Sequence, residues 1–154
     1  ASNHAPTVAM SPADQTAWED TAFSLTLPAS TFADVDLIHG DELTYSAALA
    51  DGAALPGWLG FDADSRTFSG VPLNSDVGTM AITVTATDQG SLSASTGFTL
   101  AIQNVNDAPM VAAPIADQSA AEDSAFTLTI PDTTFTDEDV IHGDHLTYNA
   151  MLGD

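Results

Sequence analysis

Cysteine is absent from the 154-residue chain, so disulfides, thiolate ligands and cysteine nucleophiles are excluded. Lysine and arginine are almost absent as well: Arg66 stands alone against 18 Asp and 4 Glu, giving a formal net charge of −21. Binding to nucleic acid is driven by basic side chains on phosphates, so a nucleic-acid partner is excluded. Anionic membrane surfaces are disfavoured for the same reason. No run approaches the ~18 to 20 consecutive apolar residues of a membrane span, which predicts no membrane insertion. The first residues carry no basic-plus-apolar signal pattern, so for an exported protein the targeting segment would lie outside this sequence. Catalytic signatures are missing too. There is no Gly-x-Ser-x-Gly elbow and no His-Glu-x-x-His, and nothing singles out one glycosidase-like carboxylate pair among 22 acidic residues.

What is present is a core-forming composition, 44% hydrophobic, and a repeat. At an offset of 103 residues, Asn3 to Asp51 aligns without a gap on Asn106 to Asp154, with 30 identities in 49 pairs. Glu19-Asp20 recurs as Glu122-Asp123, Asp34 and Asp36 as Asp137 and Asp139, and His39-Gly40-Asp41 as His142-Gly143-Asp144. A period of about 100 residues suits a tandem array of whole domains and is too long for a solenoid. The expected organisation is a complete repeat over residues 1–105 and the first half of a second over 106–154. That half is expected to be completed by another chain or partly disordered, with open sheet edges that favour dimerisation or fraying.

Within the complete repeat the apolar period is two. Phe23, Leu25 and Leu27 alternate with polar residues, as do Leu43, Tyr45, Ala47 and Leu49, then Met80, Ile82, Val84 and Ala86, then Phe98, Leu100 and Ile102. About seven strands separated by Gly, Pro, Asp and Ser signals predict an all-β, antiparallel Greek-key sandwich. Trp58 and Phe61 of "LPGWLGF" are expected to plug one end of it, and Tyr45 and Tyr148 to be buried. A sugar-stacking platform is the functional alternative for Trp58, and Trp18, replaced by Ala121 in the second copy, is the freer candidate for a carbohydrate contact.

The acidic residues cluster. Glu19 follows an early strand, Asp34-Val35-Asp36 forms an Asp-x-Asp pair, Asp88 ends a long strand in "VTATDQG", and "QNVNDAP" at the repeat boundary packs Asn104, Asn106 and Asp107 together. Calcium takes six to eight oxygen ligands, usually from several segments, and suits such a distribution. Like charges gathered without nearby Lys or Arg need a neutralising cation. The competing reading is that these carboxylates only solvate loops. Neither Asp34 nor Asp62 opens an EF-hand, because Tyr45 and Leu73 occupy the twelfth positions. His39-Gly40-Asp41 and His142-Gly143-Asp144-His145 read as turns feeding a strand rather than as zinc ligands.

"FADVDLIHGDELTYSAAL", "LPGWLGFDADSRTFSGVP", "VGTMAITVTATDQGSLSASTGFTLAI" and "NVNDAP" together resemble the dystroglycan-type cadherin-like repeat of large bacterial surface proteins. The resemblance covers essentially the whole chain. It implies that Glu19, Asn104, Asn106 and Asp107 join Asp137 and Asp139 at the junction of the two copies. Asn3, Asp34, Asp36 and Asp88 would form the matching half-site at the start of the first copy, with Asp76 replacing one ligand that the segment Leu73 to Asp76 lacks. It further implies Ca2+ as the cofactor, neighbouring repeats as partners, and homophilic or strand-exchanged self-association. The expected location is extracellular, on a bacterial cell surface. The function so implied is non-catalytic: calcium stiffens the junction and supports adhesion. The alternative is an accessory carbohydrate-binding module of a secreted polysaccharide-degrading enzyme, with polysaccharide as partner.

Overall fold

A computed structural model describes residues 2–153 and divides them into two compact units, with the boundary between Val105 and Asn106. The first unit is all-β. Its strands are β1 (Thr7–Val8), β2 (Gln15–Trp18), β3 (Phe23–Thr26), β4 (Phe32–Ala33) and β5 (Thr44–Leu49). They are followed by β6 (Leu59–Asp62), β7 (Thr67–Gly70), β8 (Gly78–Thr87) and β9 (Ser93–Gln103). One sheet has the order β2-β9-β8-β5, the other β3-β7-β6, and β1 pairs with β4 apart from both. Pairing is antiparallel except between β2 and β9, which run parallel. No described helix is long and apolar enough to cross a membrane.

The period of two in the sequence becomes the inward face of each strand. Ile82, Val84 and Ala86 of β8 and Phe98, Leu100 and Ile102 of β9 are buried, while the residues between them face outward. From the other sheet come Phe23, Leu59 and Phe68, joined by Leu27, Phe32 and Ala17 in a single apolar cluster. Phe68 meets Phe98 edge-on across the sheets, ring centroids 5.4 Å apart, and stacks tilted on Phe61 at 4.6 Å. Truncating such a buried phenylalanine to alanine costs ~3 to 5 kcal/mol. Trp58 packs half-buried against this cluster, and the backbone closes over it: a Cβ on Gly70 would lie 1.8 Å from the Trp58 carbonyl oxygen, so only glycine fits there.

The second unit is described by itself. It holds β10 (Met110–Val111) paired with β11 (Phe135–Thr136) and a 3₁₀ turn, Glu138–His142. Its Phe126, Leu128 and Ile130 correspond to Phe23, Leu25 and Leu27 but are exposed. Tyr148 is 61% exposed, which corrects the expectation that it is buried. In the first unit Tyr45 lies in β5, paired residue by residue with β8; no strand among the described residues stands beside Tyr148, so the same alternation finds nothing to bury it.

Asp14, just before β2, accepts the main-chain N–H of Thr99 at 2.8 Å and ties the edge strand to β9. That main-chain bond, then the Thr99 hydroxyl, hold its carboxyl below the usual value of 3.8. A lowered folded-state pKa contributes stability that is present above 3.8 and is lost as pH falls through the folded value. Urea unfolding should therefore show wild type more stable than Asp14→Asn near neutral pH, with the difference vanishing at about pH 2. An equal difference at both pH values would show that the charge of Asp14 contributes nothing.

Candidate metal centre

The segment Asp34 to Asp41 folds by rules legible residue by residue. Asp34, in extended conformation, caps the 3₁₀ turn Val35–His39, its Oδ1 accepting the Asp36 N–H at 2.8 Å. Short acidic side chains favour such local bonds. Gly40 closes the turn with φ of 95°, a left-handed conformation that side chains resist, and its N–H donates to the carbonyls of Asp36 and Leu37. The reversal returns the chain so that the Asp41 N–H reaches the Asp36 carbonyl at 3.3 Å. One carboxylate oxygen each from Asp34, Asp36 and Asp41 then lie within 4.8 Å of one another.

The second unit repeats this geometry. Asp137 caps Glu138–His142 and accepts the Asp139 N–H at 2.9 Å, and Gly143 has φ of 101°. Asp137, Asp139 and Asp144 gather within the same 4.8 Å. Two unit charges at that separation repel by about 3.5 kcal/mol at an effective dielectric of about 20. In the first unit Arg66 is engaged elsewhere: its Nε donates to the Leu27 carbonyl and its guanidinium lies over Tyr45, 5.6 Å from the ring centroid.

Each acidic turn also grips the chain that leads into its own copy. The His4 N–H donates to Asp36 Oδ2 at 2.7 Å, and the Asp107 N–H donates to Asp139 Oδ2 in the same register. The Asn3 side chain donates to Asp88 Oδ2 at 2.9 Å while Asp88 Oδ1 accepts the Leu92 N–H, so both Asp88 oxygens are engaged. Asp76 caps the short turn Asn74–Asp76 by accepting the Leu73 N–H. Asp76 and Asp88 thus join neither carboxylate group, and Asn104 and Asn106 are exposed.

Several carboxylate oxygens lack partners. Glu19 follows β2, its N–H donating to the Gln103 carbonyl and its Oε1 accepting the Val105 N–H at 2.7 Å. Glu19 is 0% exposed, and its Oε2 is buried with no hydrogen bond. Asp34 Oδ2 and Asp41 Oδ2 are in the same condition, and in the second unit so are Asp107 Oδ2 and Asp139 Oδ1, the latter on a residue 1% exposed. Unpaired buried anionic oxygens are costly, and a coordinated cation is the usual compensation. Asp41 and Asp144, read from sequence as turn residues, thus belong with the candidate ligands. The signal was available as Asp-x-Asp followed by Gly-Asp, with glycine in the left-handed position. His39 and His142 belong to neither carboxylate group.

Residues 5–103 match the He_PIG family, described as "Putative Ig domain". The chain belongs to that family. No curated protein matches it. Among solved structures, the He_PIG chain is similar to protocadherin gamma B2 extracellular cadherin domains 1–5, with 18% identity and a TM-score of 0.51 over 81% of this chain and 24% of that one. It is also similar to an endo-fucoidan hydrolase of glycoside hydrolase family 107, with 24% identity and a TM-score of 0.50 over 66% of this chain. The chain spans 14% of that hydrolase. These likenesses establish an Ig-like, cadherin-like fold for the He_PIG chain.

Because a Cβ at Gly40 meets no neighbouring atom, conformation alone decides the effect of a substitution there. Gly40→Ala should destabilise the first unit by about 1 to 2 kcal/mol, and Gly40→Asn by less, since asparagine tolerates the left-handed region. Thermal melts of both variants check this; equal, negligible losses would mean that the turn does not depend on glycine.

Proposed function

We propose that this chain is a non-catalytic, calcium-binding module of a bacterial extracellular array of the dystroglycan-type cadherin-like kind. Ions bound where one copy follows another stiffen the array and support adhesion or self-association. The observation that carries this reading is the set of buried, unpartnered carboxylate oxygens in the residues flanking the repeat boundary: Glu19 Oε2 in the first unit, Asp107 Oδ2 and Asp139 Oδ1 in the second. Hard oxygen donors of this number suit calcium, and binding on loops rich in like charge suits the weak extracellular range, ~10⁻⁴ to 10⁻³ M. The ligands assigned to the junction are Glu19, Asn104, Asn106, Asp107, Asp137 and Asp139, with Asp144 added by its place beside Asp137 and Asp139.

A second reading, an accessory carbohydrate-binding module, has one observation in its favour. Trp18 is 50% exposed on β2, the edge strand of the four-stranded sheet, and offers a ring to a sugar face.

Millimolar calcium should raise the melting temperature of the whole chain while magnesium does little. At about one hundred times the dissociation constant the gain is about 2.7 kcal/mol. Asp139→Asn should remove most of it. A melt indifferent to calcium, with retention in a polysaccharide-containing gel that Trp18→Ala abolishes, would favour the carbohydrate reading instead.

A further inference from the structure

In the first unit β2 pairs with β9, from Gln15 beside Leu100 to Trp18 beside Gln103, while β3 pairs with β7 and β5 with β8. Residues 118–152 repeat residues 15–49 at the offset of 103, and the repetition is selective by face. The inward-facing Ala17, Phe23, Leu25, Tyr45, Ala47 and Leu49 recur unchanged as Ala120, Phe126, Leu128, Tyr148, Ala150 and Leu152. Within β2, β3 and β5 the positions that differ are Thr16, Trp18, Ser24, Ser46 and Ala48, which become Ser119, Ala121, Thr127, Asn149 and Met151. Facing alternates along a strand, so all five lie on the side turned away from the core. The six inward counterparts are exposed in the second unit. Part of their shape is nevertheless in place: the rings of Phe135 and Tyr148 lie 6.0 Å apart at 50°, as those of Phe32 and Tyr45 lie 6.1 Å apart at 47°. A face that keeps its pattern while its back varies keeps its match to β7, β8 and β9.

We infer that residues 118–152 compete with residues 15–49 for the same partners, β7, β8 and β9, so that the sandwich closes with either half-copy. The same side chains in the same register fill the same core. The ties of the edge strand are duplicated as well. Asp117 stands where Asp14 accepts the Thr99 N–H, and Glu122 where the Glu19 N–H donates to the Gln103 carbonyl. The connection is long enough: Gln118 would lie beside Leu100, only ~10 Å back along β9 from Gln103, and residues 104–117 reach ~45 Å when extended. The swap also has a cost. In the described arrangement the Asp107 N–H donates to Asp139 and β10 pairs with β11. The first-unit residues that correspond to 106–114 lie toward the start of β9, where the Asn3 side chain donates to Asp88 and the Thr96 hydroxyl to Ser11. From Gln103 the chain to Asp107 reaches ~14 Å, whereas β9 is ~35 Å long. Closing the sandwich with the second half-copy therefore gives up both contacts, which makes it the minor state and the described arrangement the major one. Two packings of one sequence separated by a few contacts are the requirement for a fold that switches.

The test is amide hydrogen exchange of the intact chain with chelator present, so that it stands apart from calcium at the repeat junction. In the wild type β8 and β9 should be protected and residues 147–152 open. Ala17→Asp combined with Phe23→Asp places two unpartnered charges in the core face of the first half-copy. β8 and β9 should then keep their protection while residues 44–49 open, and amide exchange in residues 147–152 should slow at least tenfold. The matching pair Ala120→Asp and Phe126→Asp should leave the wild-type pattern unchanged, and all four substitutions together should open β8 and β9. If the first pair alone opens β8 and β9 as far as all four do, the second half-copy does not take over and the inference fails. Protection of residues 147–152 that arises only in oligomers would overturn the swap within one chain.

Discussion

The hydrogen bond from a main-chain amide of the linker to the second aspartate of an Asp-x-Asp turn is the contact that organises each acidic pole. In the first unit it joins His4 to Asp36, in the second Asp107 to Asp139. Fixing the linker at His4 places the residues on either side of it: Asn3 reaches Asp88, and β1 runs on to pair with β4. The same aspartate N–H is held by the aspartate two residues before it, so the turn and the linker share one short network. Charged acceptors make such bonds short and strong. They also leave the remaining oxygens turned toward one another, which is unfavourable until a cation arrives.

The sandwich supplies the rigidity that makes this arrangement useful. Apolar residues of β3, β7, β8 and β9 form the buried cluster, while the acidic turn and the linker lie between strands rather than within them. Ligand-bearing loops on a packed scaffold are the common division of labour in β-sandwich modules. A chain with one basic residue cannot neutralise these turns internally. Under the proposed reading a bound cation offsets that charge, while the remaining acidic residues serve solubility.

Much of this is legible in the residues. The period of two in Met80 to Ala86 and Phe98 to Ile102 marks both long strands and their buried face, because side-chain alternation is intrinsic to the pleat. Asp34, Asp36, Asp137 and Asp139 are visible as Asp-x-Asp pairs. Asp41 and Asp144 are not, because their role depends on the left-handed glycine before them returning the chain onto the pair. Asp88 and Asp76 are candidates on type and place alone; in the structure the two oxygens of Asp88 accept from Asn3 and Leu92, and one oxygen of Asp76 accepts from Leu73. Tyr148 shows the limit of pattern: alternation marks which face can be buried, but burial needs a neighbouring strand.

The role proposed for the junction depends on calcium being the ion that its carboxylates require. A crystal structure of the chain grown in calcium tests that most directly. It should show calcium at about 2.3 to 2.6 Å from Glu19 Oε2 and calcium at that distance from Asp139 Oδ1, with at least six oxygens around each bound ion. Those two oxygens hydrogen-bonded only to water, with no ion beside them at saturating calcium, would contradict it.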